Sequence, residues 1–158
     1  MAQTHHLSRS AKDRLQAEYD DLTTRWRIEI ARKIEEARLL GDLSENGDYH
    51  AAKEEQGMKE GRIRQLKSIL DNHELVEAGT AGTVGFLSKV GILYEGDGDD
   101  MVEYYLVGHL EEKHEDLQTI SPGSPLGTAL MGADVGTTVT FNPGRGEVRV
   151  KIVSVEAI

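Results

Sequence analysis

The residues best equipped for chemistry stand together in one stretch, Gly41-Asp42-Leu43-Ser44-Glu45-Asn46-Gly47-Asp48-Tyr49-His50-Ala51-Ala52-Lys53-Glu54-Glu55-Gln56. Asp42, Glu45 and Asp48 come in it before any basic residue, the first being Lys53. Carboxylates this close repel one another, and a hard cation or a cationic partner relieves the repulsion. A calcium loop counted from Asp42 places Asp42, Ser44 and Asn46 at positions 1, 3 and 5, Gly47 at 6 and Asp48 at 7, but puts Lys53 where the bidentate carboxylate of position 12 belongs. Mg²⁺ fits better, because it keeps several waters and takes only one or two protein carboxylates. Asp42 and Glu45, three apart in a turn, present oxygens in one direction without completing a site. Inserted into another protein's active site, such a pair holds a second metal or orients a water for two-metal phosphoryl chemistry. The plainer alternative is a solvated turn, since Asp, Asn, Ser and Gly favour turns for backbone reasons.

The flanking segments explain how the acids are held out. Leu15, Tyr19, Leu22, Trp26, Ile30, Ile34 and Ala37 recur at steps of four and three, one stripe along a helix. Ser8 and Ser10 are both N-cap candidates, Ser10 with Asp13 resembling a capping box, and Gly41 is placed to end the helix. A second helical pattern runs from about Tyr49 to Leu75, with Ala52, Ile63, Leu66 and Leu70 on one face. Folding the chain back at residues 44–45 pairs Ala37 with Ala52, Ile30 with Lys59, Trp26 with Ile63, Tyr19 with Leu70, and sets Leu22 beside Leu66. The expectation is an antiparallel coiled-coil hairpin with arms of roughly 30 residues, about 45 Å long. Gly57 and Gly61 weaken the second arm by about 1 kcal/mol each relative to Ala.

After Ala78 the texture changes. Gly79–Thr83 reads as a linker or strand entry; Val84–Val90, Ile92–Glu95, Met101–His109, Leu117–Ile120, Val135–Phe141 and Glu147–Val155 read as strands; Pro125–Met131 reads as a short helix. The overall class is therefore α+β: residues 1–77 a coiled-coil hairpin with an acidic tip, residues 78–158 a compact, mostly antiparallel sheet with one short helix.

Composition narrows the function. The net charge of −10 argues against simple binding to nucleic acid phosphates. Residues 1–77 hold 13 Lys and Arg against 16 Asp and Glu, and residues 78–158 hold 5 against 12. Cysteine is absent, which excludes disulfides and thiolate metal sites and fits the cytoplasm. No apolar run approaches the roughly 20 residues of a membrane span, and His5 and His6 read as a frayed polar start. His109 and His114 read as surface histidines. Arg25, Arg27, Arg32, Lys33 and Arg38 form the most basic stretch, a solvated face balanced by Glu29, Glu35 and Glu36 or a contact for RNA. Ser124-Pro125-Leu126-Gly127 is either a rigid turn or an exposed apolar knob for a partner. No phosphate loop and no Ser-His-Asp spacing is present.

Gly41-Asp42-Leu43-Ser44-Glu45-Asn46, with Tyr49 to Gln56 and Arg62-Ile63-Arg64-Gln65-Leu66, resembles the bacterial Gre family. The match resumes at Ser124-Pro125-Leu126-Gly127-Thr128-Ala129-Leu130-Met131-Gly132 and Val135-Gly136, so it spans almost the whole chain. The resemblance implies a coiled-coil hairpin followed by an FKBP-like domain with no prolyl isomerase activity assigned to it. It implies a cytoplasmic transcription elongation factor, acting as a monomer, that docks on bacterial RNA polymerase and enters its secondary channel. There it stimulates Mg²⁺-dependent cleavage of the 3′ end of backtracked nascent RNA, as an accessory rather than an enzyme itself, with no metal held by the free protein. On matching positions Asp42 and Glu45 are the metal-directed acids, shared with the polymerase. Tyr49, Lys53 and Asp48 lie near the RNA end, and Ser124, Pro125 and Leu126 belong to the docking surface. Gly47 and Asp48 depart from the family pattern, in which a small residue and Glu are usual; an acid is retained. The rival expectations are a channel-binding inhibitor, against which Asp42 and Glu45 argue, and a coiled-coil adaptor whose tip is only a turn.

Overall fold

The computed structural model describes residues 3–41, 45–114 and 116–158. The chain divides into two compact units, one built on Lys12–His73, the other on His5–Ala11 together with Glu74–Ile158.

In the first unit, helix α1 (Arg9–Asp21) runs through a π-helical turn, Leu22–Trp26, into α2 (Arg27–Arg38), and α3 (Gly47–Asp71) forms the returning arm. The apolar stripe accounts for the π turn. Successive steps of four residues overshoot the α-helical turn of about 3.6 residues, so the stripe drifts around the helix unless a residue is inserted. The two threonines help: the Thr23 hydroxyl donates to the Tyr19 carbonyl at 2.8 Å and the Thr24 hydroxyl to Asp20 at 2.6 Å, loosening the ladder there. Leu22, Trp26, Ile30 and Ala37 are buried on the first arm, and Ala52, Ile63, Leu66 and Ile69 on the second. Ile69 takes the place expected of Leu70, which is only half-buried. The inserted residue rotates the chain on its N-terminal side, and the facing stripe moves with it. Lys33–Glu55 at 3.1 Å and Arg27–Glu60 at 3.0 Å close within two residues of the expected fold-back pairing, while Arg62 reaches Glu18 diagonally at 2.8 Å.

Helix α1 is capped by Ser8, whose Oγ accepts from the Ala11 amide at 3.1 Å; Ser10 lies in the first turn. His5 and His6 are not frayed. His5–Leu7 is strand β1, paired with β2 (His73–Leu75), and Leu7 is fully buried.

The second unit carries a five-stranded sheet of β3 (Ser88–Tyr94), β4 (Glu103–Val107), β5 (Gln118–Ile120), β6 (Thr138–Phe141) and β7 (Val148–Ala157), in the order β5-β4-β3-β7-β6. All pairings in this sheet are antiparallel except β4 with β5, which is parallel, so the sheet is mostly antiparallel. The connection from β4 to β5, by way of Gly108–Leu117, is long enough for the chain to return and run in the same direction. Val84, Val90, Ile92, Val107, Leu130, Val150, Ile152 and Val155 make the core, roofed by helix α4 (Pro125–Leu130) through Leu126 and Leu130. The expected strand at Val84–Val90 is narrower than anticipated. Leu87 has a φ of +66°, and regular pairing begins only at Ser88.

Candidate functional site

The first arm ends where the sequence directs. Leu39 and Leu40 donate back to the Glu35 and Ala37 carbonyls at 3.3 and 3.1 Å, and Gly41 adopts a φ of +134°, a conformation that L side chains resist. The second arm begins at Gly47, two residues before the expected start. Asn46 is its cap, with extended backbone and a side-chain Oδ1 that accepts from the Tyr49 amide at 3.1 Å. The Asn46 Nδ2 donates to the Ala37 carbonyl at the end of the first arm. One side chain thus closes both helix ends.

Between those ends, Asp42 lies outside the described residues. Glu45 is exposed immediately before the cap. Asp48 is exposed in the first turn of α3, where a carboxylate faces the positive end of the helix dipole. Tyr49 is half-buried, its ring edge-on to His50 with centroids 5.6 Å apart. Lys53, one turn on and exposed, donates to Gln56 Oε1 at 3.0 Å. The structure therefore brings Glu45, Asp48, Tyr49 and Lys53 to the start of one helix. Among the described residues, no three His, Cys, Asp or Glu side chains converge as metal ligands. Glu45 offers hard oxygen donors open to solvent, the donor type that Mg²⁺ takes from a protein.

The basic residues of the first arm are largely engaged with acids. Arg25 bonds Asp21 and Glu29, each at 2.7 Å, and Arg27 grips Glu60 with two bonds at 3.0 Å. The Arg27 guanidinium holds the Glu60 carboxyl below its usual range. These are the contacts of a solvated, ion-paired face.

In the second unit, Ser124 caps α4. Its Oγ accepts from the Gly127 amide at 3.0 Å and donates to the Ser121 carbonyl at 2.7 Å, with Pro125 as the first helical residue. Ser124, Pro125 and Leu126 are brought together, but Leu126 is half-buried against the core, so they form a wall and not a protruding knob. The wall borders an apolar pocket of about 450 Å³ completed by Leu110, Ile120, Phe141 and Pro143. Sequence reasoning does not find those four, which come from the β4–β5 connection, from β5, from β6 and from the turn after β6.

His109 is not a surface histidine. It is half-buried, its Nε2 lies 2.8 Å from His5 Nδ1, and its Nδ1 accepts from the Glu111 amide at 3.0 Å. With Nδ1 used as an acceptor, the ring proton sits on Nε2 and is given to His5. Burial, then His5, pushes the His109 pKa down. Nearby, buried Glu112 receives the Ser8 amide at 2.8 Å and the Ser8 hydroxyl at 2.6 Å.

Two family descriptions match the chain: "Transcription elongation factor, N-terminal" over residues 5–75, and "Transcription elongation factor, GreA/GreB, C-term" over residues 79–157. The transcription elongation factor GreA of Mycobacteroides abscessus is 46% identical over 95% of this chain and 93% of its own. That of Streptomyces avermitilis is 43% identical over 95% of this chain and 92% of its own. Among solved structures, that of the transcription factor Gfh1 is similar at 25% identity and a TM-score of 0.48, covering 99% of each chain.

Proposed function

Because the chain belongs to the GreA/GreB family of transcription elongation factors, we propose that it acts on backtracked bacterial RNA polymerase by lending acids to the polymerase's own RNA cleavage centre. The observation that carries this reading is the placement of exposed Glu45 at the head of a 25-residue helix, about 37 Å long. A carboxylate at the end of such an arm reaches a recessed site that a globular surface does not. The factor is an accessory: it carries too few ligands for chemistry alone, and the polymerase supplies the rest.

In this reading Glu45, with Asp42 before it, is the metal-directed acid. Glu45 and Asp42 would help hold Mg²⁺ in the complex, where the ion would supply Lewis-acid activation of the scissile phosphate and of the attacking water. The Glu45 carboxylate accepts a hydrogen bond from that water and aligns it with the phosphorus. Asp48 adds negative charge one turn along. Tyr49 and Lys53, four apart on one helix face, lie beside the RNA end, the ring offering a stacking surface and the ammonium a charge for the displaced phosphate. The pocket walled by Ser124, Pro125 and Leu126 serves as the docking surface for the polymerase rim.

The test uses stalled, backtracked bacterial elongation complexes with 5′-labelled RNA and Mg²⁺, comparing the protein with its Asp42→Ala/Glu45→Ala variant and checking that both bind. Shortening of the RNA by the first but not the second is expected. Binding without cleavage by either would turn the reading to an inhibitor, and no binding by either would leave the adaptor.

A further inference from the structure

We propose that Asn46 is a positioning residue for transcript cleavage, a role that rests on the reading above: it braces the two helix ends so that Glu45, its neighbour in the chain, is held at a fixed place and angle. Three observations support the brace. Asn46 Oδ1 accepts the Tyr49 amide at 3.1 Å, which fixes the residue to the first turn of α3. Its Nδ2 donates to the Ala37 carbonyl in the last turn of α2, which fixes the same side chain to the other arm. Its backbone carbonyl accepts the His50 amide at 3.1 Å, so the main chain on the carbonyl side of the α-carbon is anchored as well. The side chain is half-buried and the flanking Glu45 is exposed, as expected of a support beneath a working carboxylate.

The chemistry of the side chain makes the proposal specific. Only an amide supplies an acceptor and a donor at this length. Ser and Asp cap a helix N-terminus as well as Asn does, yet neither has a donor that reaches Ala37. A residue that merely started the helix would be replaceable by either. A brace would not.

The experiment compares Asn46→Ser and Asn46→Asp with the unaltered protein. The first variant adds no charge and the second adds one, so an effect common to both does not come from charge at the tip. Helicity by circular dichroism and half-saturation for polymerase are expected to be unchanged. The cleavage rate at saturating factor is expected to fall about tenfold or more, with a higher Mg²⁺ concentration needed for half-maximal rate. A second readout does not use cleavage. The chain has no native cysteine, so Arg38→Cys and Ala51→Cys, both at exposed positions, accept a spin-label pair across the two helix ends. The distance distribution is expected to be narrow with Asn46 and broad in both variants. Cleavage and Mg²⁺ dependence like the unaltered protein's, or an unbroadened distribution, would overturn the proposal. Failure of the unaltered protein to promote cleavage would overturn the functional reading and the catalytic role with it; broadening in the variants would then identify Asn46 as a structural brace alone.

Discussion

Replacing Gly127 by Ala tests the docking wall through one carbon atom. Gly127 is buried in α4, and a Cβ there would lie well inside contact distance of the Ser121 carbonyl oxygen, 2.8 Å from the Ser121 carbonyl carbon and 2.9 Å from Ser124 Oγ. Ordinary contact between heavy atoms needs about 3.5 Å, and the carbonyl oxygen lies closer than the carbon, so the loop must withdraw by more than an ångström. The atom in the way is backbone, and it also accepts from the Ser124 amide at 3.0 Å and the Ser124 hydroxyl at 2.7 Å. Overpacking costs roughly 1–3 kcal/mol, and each weakened hydrogen bond adds about 1 kcal/mol. The expected loss in the second unit is about 3 kcal/mol, or some 150-fold in the opening equilibrium. Hydrogen exchange of the buried β7 amides of Val150 and Ile152 reads that opening directly. The emission of Trp26, buried in the hairpin and the only tryptophan, should not change. Polymerase binding should weaken with the wall. A change in exchange of less than about threefold, corresponding to roughly 0.6 kcal/mol, would refute the reasoning, because the loop would then have given way at almost no cost.

Gly57 is exposed in α3 with nothing within 4 Å of a Cβ position, so Gly57→Ala should raise hairpin stability by up to about 1 kcal/mol, seen as a higher urea midpoint by Trp26 fluorescence. An unchanged or lower midpoint would mean that the arm needs a bend there. The His5–His109 pair should make the N-terminal strand pH-dependent. His109 has a folded pKa below its ordinary 6.5, so the unfolded state binds the proton more readily, and stability is complete above about pH 6.5 and falls as the pH drops through the window below it. His5 and His6 oppose the charge while Glu111 and Glu112 favour it, which limits the size of the effect. The protection factor of the Val76 amide, which bonds Leu7, should fall between pH 7 and pH 5.5, after correction for the intrinsic pH dependence of exchange, and His109→Gln should flatten that fall. A slope unaltered by the substitution would assign the titration elsewhere.

The hairpin was legible because two stripes of helical period had to bury each other, and the turn between them because Asp, Asn, Ser and Gly favour a break between helices. The π turn was hidden. It depends on Thr23 and Thr24 turning their hydroxyls to the preceding carbonyls, a choice that sequence period records only as an excess of four-residue steps. The start of α4 was readable as Ser124-Pro125 capping, a local signal. The pocket beside it was not, since Leu110, Ile120, Phe141 and Pro143 are distant in sequence, and Ile120 and Phe141 lie on the two edge strands of the sheet. His5 and His6 looked like a polar end because their partners, His109 and Phe86, are distant in sequence. Asn46 was visible within the motif, but its bond to Ala37 appears only when the two arms are placed together.

The pairing of β1 with β2 gives the chain a further property. The long arms leave through His5–Leu7 and return through His73–Leu75, neighbouring strands of one ribbon, with the Val76 amide bonded to Leu7 at 2.8 Å. Seen this way, the hairpin is an insert whose two ends are already fastened, so its closure entropy depends weakly on its length. Reach thereby becomes a parameter separable from folding. Equal numbers of turns can be removed from or added to both arms, leaving the ribbon and the five-stranded sheet as they are and changing only the length of the arms.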